Sequence, residues 1–510
     1  MLVYLSSNYL KNFDKDLYYK ILLLESFEDR NWHTAAQLAE TAGIDARSII
    51  KYLNELTKNY QRFTQISTPL FEKNGRQGFC LPATLEPIEY ERFLIYLVQS
   101  TLKYQLLHEI FFEDFRTMYQ FAQKHYISES TAHRKINELK LQLKEYGITL
   151  RRSSYVAQGE EMTIRMYLHM TFWRLFRGKI WPFPTISQSD VKQIATQVMS
   201  FFDVQFNEIK QRRLEYMIGA FLLRKSQKHV VKLRPELLYF LKDNSVFHRF
   251  CTFMAPSLPN YFQSETELAS LFFVLMTREE YYSYPAIFQE IYAIHEQKNT
   301  WAYQALCETE QLIIKAQEER GQVAKPIPTE AKGYLLSGHV FAYLFPHIKE
   351  TINGNGVHFW NQQQAKNPTL KKWMNDLLLQ LWKDTKNPAF ENTEFLVERY
   401  LTVLKTMPNF APVLPEITLL LMTDLPIFEE KLLMRDLQQF FKNSYQLHFL
   451  PPNSQAEPVD LLISTSKVHG EPWARFDYFV VTQDLQIPDY LELAKKLQMI
   501  EQQKERRKRK

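Results

Sequence analysis

Hydrophobic and polar positions follow two rhythms along this chain. Between residues 172 and 400 apolar side chains recur every three to four positions, as in 213–224 (RLEYMIGAFLLR), 266–275, 334–345 and 373–381. That spacing predicts helices that each bury one face. Pro182-Phe183-Pro184 and Lys325-Pro326-Ile327-Pro328 are the clearest breaks, and the stretch has room for two helical bundles. Beyond Pro408 and Pro412 the rhythm changes. Short apolar runs at 416–422, 445–450, 459–464 and 478–482 read as strands, and 427–441 and 490–502 read as helices. Strands alternating with helices predict a small parallel α/β sheet.

The first 165 residues contain a repeat. Residues 35–56 read AAQLAETAGIDARSIIKYLNEL, and 83 positions later residues 118–139 read MYQFAQKHYISESTAHRKINEL. Six of the 22 positions are identical, including Ala39/Ala122, Ile44/Ile127 and Leu56/Leu139. Each copy has the grammar of a helix-turn-helix. A short helix carries a small residue, an isoleucine plugs the turn, and Asp45 or Ser128 caps a second helix. On that second helix Ile49, Leu53 and Leu56, or Ala132, Ile136 and Leu139, share one face, which the spacing makes the buried one.

The opposite face presents Arg47, Ser48, Lys51 and Tyr52 in the first copy, and Ser130, Thr131, His133, Arg134 and Lys135 in the second. Hydroxyls and basic groups suit phosphate oxygens and base edges in a major groove. A plain solvated helix would also carry polar residues there; the duplication weighs against that reading. Both copies also look winged. Asn74-Gly75 signals a two-residue hairpin between Lys73 and Arg76, and a strand pair expected at 148–159 carries Arg151 and Arg152. Each wing either reaches a neighbouring phosphate or only covers its core.

Global charge adds little. The net charge is +5, but the last ten residues hold six basic and two acidic side chains, a net +4, which leaves +1 for the rest. The first 165 residues hold 21 Lys+Arg against 20 Asp+Glu, so local patterning must identify a nucleic-acid binder. The basic end, 501–510, either adds non-specific attraction to DNA or is a solvated helix end. Cys80, Cys251 and Cys307 are far apart and form no CxxC pair, so a disulfide framework, a zinc site or any cofactor is not expected and a reduced cytoplasm is. The N-terminus lacks the pattern of a signal peptide, and no apolar run approaches membrane-spanning length.

Enzymatic motifs are scarce. Gly354-Asn355-Gly356 follows no strand and reads as a turn. Histidines are the only chemical candidates in the helical region: His229 after the 213–224 helix, His339 within 334–345, then His248, His295, His347 and His358. Any one of them also suits an ordinary hydrogen-bonded role. The turn after the first C-terminal strand, Thr423-Asp424-Leu425-Pro426, is where an α/β fold places a reactive group, yet it has no cysteine and no glycine-rich loop.

The order of parts resembles the Mga/AtxA family of regulators from Gram-positive bacteria, carried by 121–139, the wing at 151–159 and the strand–helix pattern from 416 to 485. The resemblance implies a mainly α multidomain chain: winged helix-turn-helix domains at 1–85 and 86–170, helical PRD-like domains at 171–295 and 296–408, a phosphotransferase IIB-like α/β domain at 409–500 and a basic tail at 501–510. It implies a cytoplasmic transcription regulator, an activator rather than an enzyme, with promoter DNA, a phosphocarrier of the sugar phosphotransferase system and copies of itself (a homodimer or higher homo-oligomer) as partners, and no membrane. His229 and His339 are the phosphorylation sites it implies. Thr423 stands where a IIB domain has its phosphorylated cysteine, which argues for a structural role there. A sugar-responsive RNA-binding antiterminator and a phosphotransferase-type enzyme component are the alternatives; the former is expected to begin with a β-rich module, unlike these helices.

Overall fold

A computed structural model describes residues 13–508, apart from 28–29, 83–84, 153, 283–284, 320, 322, 350–367, 405–406, 408–415, 443, 451–458, 466–476 and 481–486. The turn expected at Gly354 and Gly356, His358, and the stretch from Pro408 to Pro412 lie outside the described residues. The chain divides into two compact units, Met1–Asn409 and Phe410–Lys510.

Among the described residues the first unit is helical with two short hairpins. Helices α1 (Lys15–Ser26), α2 (Ala35–Ala42) and α3 (Ala46–Thr64) lead into hairpin β1 (Glu72–Asn74) and β2 (Gly78–Cys80). After α4 (Pro87–Gln99) and α5 (Leu102–Phe111) the same order returns: α6 (Met118–Lys124), α7 (Glu129–Glu145), β3 (Thr149–Leu150) and β4 (Ala157–Gln158). Helices α3 and α7 run past residues 56 and 139, where the sequence pattern fades. In α3 the added turns have a use: Tyr60 and Phe63 pack on Phe93 of α4, with ring centroids 5.3 and 5.7 Å apart, and the Tyr60 hydroxyl donates to Glu89 at 2.6 Å.

The helical remainder comprises α8 (Glu161–Phe176), α9 (Gln188–Phe201), α10 (Glu208–Ser226), α11 (Pro235–Leu241), α12 (Ser245–Met254) and α13 (Glu265–Met276). It continues with α14 (Pro285–Gln297), α15 (Trp301–Glu319), α16 (Thr329–Leu344), α17 (Pro368–Thr385) and α18 (Thr393–Leu404). The one-faced stripe expected for 213–224 understates the packing. Every residue from Arg213 to Arg224 is buried, as is every residue from Met162 to Phe176 on α8, because α8 and α9 both pack on α10. At Gly219 an added Cβ would press on the rings of Phe183 and Trp181, so glycine lets that aromatic corner close over the helix. Helices buried all round leave their charged residues without water, which forces those charges to pair.

Among the described residues the second unit holds a four-stranded, all-parallel sheet in the order β6 (Gln446–Leu450), β5 (Glu416–Met422), β7 (Leu461–Ser464), β8 (Tyr478–Val480), with α19 (Ile427–Phe441) between β5 and β6 and α20 (Ile487–Lys508) after β8. The small parallel sheet is as the alternation of strands and helices predicts. Ile417, Leu419, Leu421, Leu461 and Ile463 meet Leu437, Leu493 and Leu497 in its core. Full burial of each such side chain contributes about 1.5–3 kcal/mol.

Candidate nucleic-acid interface

The first helix pair is built from its caps inward. Thr34 and Gln37 form a reciprocal capping box at the start of α2, and Gly43, at φ 65°, ends the helix in the left-handed region. Asp45 then caps α3: its carboxylate accepts the Ser48 N–H at 3.0 Å and the Ser48 hydroxyl at 2.7 Å, and these bonds lower its pKa. Ile49, Leu53 and Leu56 face the core as the spacing requires. Arg47 and Lys51 are exposed, Lys51 standing 3.8 Å from Glu55. Ser48 is therefore spent on the cap. Tyr52 departs from its expected place on the outer face: it is buried, stacks on Tyr19 and donates its hydroxyl to Asp16 at 2.8 Å. Position 52 lies beside Leu53 at the edge of the apolar stripe, and α1 covers that edge.

The hairpin after α3 also departs from expectation. Asn74 pairs with Gly78, so the loop is Gly75-Arg76-Gln77, three residues and not a two-residue Asn-Gly turn. The Asn74 side-chain oxygen accepts the N–H groups of Arg76 and Gln77 and so stabilises the longer loop. Gly78 sits at φ 96°, and Phe79 exchanges two 2.9 Å backbone hydrogen bonds with His33 just before the α2 cap. A Cβ on Gly78 would collide with the His33 backbone. Lys73 on the ladder and Arg76 in the loop are exposed.

The second pair repeats the design. Ser128 caps α7, accepting from the Thr131 N–H at 3.2 Å and sharing a 2.9 Å bond with the Thr131 hydroxyl. Ala132, Ile136 and Leu139 are buried; Ser130, His133 and Arg134 are exposed. Thr131 is half-buried, and Lys135, also half-buried, pairs with Glu138 at 3.0 Å. Arg151 and Arg152 are exposed at the tip of the two-residue β3–β4 ladder. The outer face of α3 thus presents Arg47 and Lys51, and that of α7 adds the Ser130 hydroxyl to His133 and Arg134, a chemistry that fits phosphates and base edges.

Behind the second pair lies a set of ion pairs that pattern reading missed. Arg165 and Glu267, both wholly buried, pair at 2.5 Å, and Arg165 also reaches Glu161 at 3.1 Å. Glu161 takes a second arginine, Arg224, at 2.8 Å, while Lys225 pairs with Glu267 at 3.2 Å. Arg224 lies 3.7 Å from Glu113, in the turn between α5 and α6, and Glu113 also receives His229 Nε2 at 2.5 Å. Of the two histidines singled out in sequence, His229 is therefore partly exposed and touches the loop leading into the second helix pair. His339 is fully buried: Nε2 shares a 2.7 Å bond with the Tyr400 hydroxyl, Nδ1 a 3.2 Å bond with the Ala389 carbonyl, and burial pushes its pKa down to about 4. The two histidines do not share a site. The clue to the network was charge inside apolar runs, Arg165 in TIRMYLHM and Glu267 in ETELASLFF.

In the second unit the Thr423 hydroxyl donates to Glu430 at 2.7 Å and the Thr465 hydroxyl to Asp424 at 2.8 Å, so the turn after β5 is tied to α19 and to the residue after β7. Among the described residues Cys80, Cys251 and Cys307 form no disulfide. Among the described residues no cluster of metal ligands occurs, and no helix is long and apolar enough to cross a membrane.

Comparison with known proteins fits the second pair. Residues 88–172, which span α4 to most of α8, match the Mga helix-turn-helix domain. The class supported is that of DNA-binding helix-turn-helix regulators. Over 229 residues the chain is 22% identical to the capsule synthesis positive regulator AcpB of Bacillus anthracis, an alignment covering 44% of this chain and 46% of that protein. The chain thus matches about half the length of that relative. Together the two similarities support an Mga/AtxA-like regulator family.

Proposed function

We propose that this chain is a cytoplasmic transcription activator that binds promoter DNA as a dimer or higher oligomer through two winged helix-turn-helix domains. The observation that carries the reading is the exposed face of α7, Ser130, His133 and Arg134, within the segment similar to the Mga domain. In this reading α3 and α7 enter major grooves, Arg47, Lys51 and Arg134 contact phosphates or guanine edges, and Lys73, Arg76, Arg151 and Arg152 hold flanking phosphates. The activator sense rests on the name of the similar protein, a positive regulator.

Regulation is proposed at His229. A phosphoryl group from a phosphocarrier would place charge of about −1.5 to −2 beside the Glu113 carboxylate and offer Arg224 a competing acceptor. The segments 171–295 and 296–408 act as PRD-like domains in this reading, and the IIB-like second unit serves self-association. His339, sealed behind Tyr400, is not proposed as an acceptor.

The test is binding of the purified chain to promoter-region DNA across a salt series. Arg134→Ala should weaken binding and lower the salt slope by about one. If neither Arg134→Ala nor Lys51→Ala changes affinity, the groove assignment fails; absence of binding at low salt sinks the whole reading. Phosphate label accepted from a phosphocarrier and kept by His229→Ala would remove that site.

A further inference from the structure

Helices α11, α13 and α16 and the junction between α14 and α15 enclose a half-open cavity of about 410 Å³. Its walls are mostly apolar: Leu237, Phe240, Phe273, Met276, Ala302 and Val340 line it. Polar residues line it as well, Glu236, His295, Lys298, Asn299, Thr300 and Gln304. His295 is buried, stacks near Phe240 with centroids 4.7 Å apart, and its Nδ1 is engaged by the Thr300 hydroxyl at 2.7 Å. Its other ring nitrogen, Nε2, is buried with no hydrogen-bond partner among the described residues. Burial without a partner costs a polar nitrogen about 1–3 kcal/mol, so the site favours a molecule that supplies one.

The chemistry of the walls narrows the ligand. Burial holds the His295 pKa near 3, so the imidazole is neutral and offers no charge to an anion. The rim cation is engaged, since Lys298 Nζ donates to the carbonyls of Tyr239 and Lys242 at 3.2 and 2.6 Å. A hydroxyl group serves Nε2 in either tautomer, donating to its lone pair or accepting its N–H. An apolar cavity of about 150 Å³ holds benzene, so this one accommodates a substituted ring. We propose that the cavity is a binding site for an uncharged, mainly apolar small molecule, such as a substituted phenol, whose hydroxyl pairs with His295 Nε2.

The site is placed to be read. Its lining residues Pro235 and Tyr343 flank Arg234, whose guanidinium lies over the Tyr343 ring at 4.6 Å, donates to the Tyr343 carbonyl at 3.2 Å and pairs with Glu160 at 3.2 Å. Glu160 directly precedes α8, two residues after β4. Occupancy therefore bears on the arginine that holds the end of the second hairpin.

The test uses the full chain alone, without DNA, so its outcome is independent of the function proposed above. Calorimetric titration with 4-propylphenol should show saturable binding of one molecule per chain, and propylbenzene should bind about three- to tenfold more weakly, the loss of one hydrogen bond. His295→Leu should remove that difference. Val340→Phe, which fills the cavity and leaves His295 in place, should abolish binding of both probes while the circular dichroism spectrum stays unchanged. No saturable binding of 4-propylphenol, equal binding of both probes to the unmodified chain, or undiminished binding to Val340→Phe overturns the proposal.

Discussion

The buried pair between Arg165 and Glu267 makes a prediction whose sign is unusual. Three cations, Arg165, Arg224 and Lys225, meet three carboxylates, Glu161, Glu267 and Glu113, in one connected set. Glu267→Leu leaves three cations on two carboxylates, and the wholly buried Arg165 guanidinium keeps only Glu161 and the His229 carbonyl. Removing one partner of such a pair costs about 3–5 kcal/mol. Arg165→Met should cost about as much, by stranding Glu267 with Lys225 alone. The double variant restores balance, two cations with two carboxylates, and replaces the pair by apolar volume, which is often neutral. It should be no less stable than either single variant, and so less destabilised than their sum by at least about 3–5 kcal/mol. Urea unfolding followed by the fluorescence of buried Trp173, on the same helix as Arg165, gives the four midpoints of the cycle. Additive losses would falsify the claim that burial of unbalanced charge, and not lost packing, sets the cost.

Two further predictions come from other parts of the first unit. His339 is held neutral down to about pH 4, whereas in the unfolded chain it takes up a proton near pH 6.5. Its folded pKa is depressed, so its neutral form contributes nothing to the pH dependence above 6.5, and stability is lost as pH falls from 6.5 toward 4 by about 3 kcal/mol in all. His339→Phe should flatten that part of the profile in urea midpoints taken between pH 7 and 5, and an unchanged slope refutes the assignment. Gly78→Ala should destabilise the first hairpin by about 2–3 kcal/mol, because both its left-handed φ and the His33 backbone exclude a Cβ. Hydrogen exchange at the Phe79 amide, bonded to the His33 carbonyl, reads the loss directly; retained protection there would show that the hairpin tolerates the side chain.

Local periodicity made the caps, the buried faces and the parallel sheet legible. Asp45 and Ser128 announce themselves because a cap acts within three residues, and β5 and α19 begin and end where their hydrophobic runs do. The limits of that reading are those of local information. Tyr52 reads as an outward ring until α1, some thirty residues earlier, supplies Tyr19 and Asp16. The turn after Asn74 reads as a two-residue hairpin until the His33 backbone approaches Gly78. The pairing of Arg165 with Glu267 spans 102 positions, and a lone charge in an apolar run says that a partner exists without saying where. His295 was visible only as one histidine among several; its unpartnered nitrogen depends on four elements meeting around it.

The connection between α10 and α11 ties these observations together. It is eight residues long, 227–234, and it grips the second helix-turn-helix segment at both ends. At the entry, His229 meets Glu113 and the Gln227 side chain donates to the Phe111 carbonyl at 2.9 Å. At the exit, Arg234 pairs with Glu160. Both pairs are partly exposed, so each is worth about 0–1 kcal/mol. The Arg165–Glu267 pair beneath them is fully buried, and breaking it costs several times more. A rigid base under weak grips is the arrangement a regulator needs. Coupling between sites typically amounts to about 1–3 kcal/mol, enough to release the two grips and too little to break the base. Charge added at His229 acts on the entry, and a molecule against Tyr343 acts on the exit. In the proposed reading, two separate signals thus bear on one segment, the one that presents Arg134.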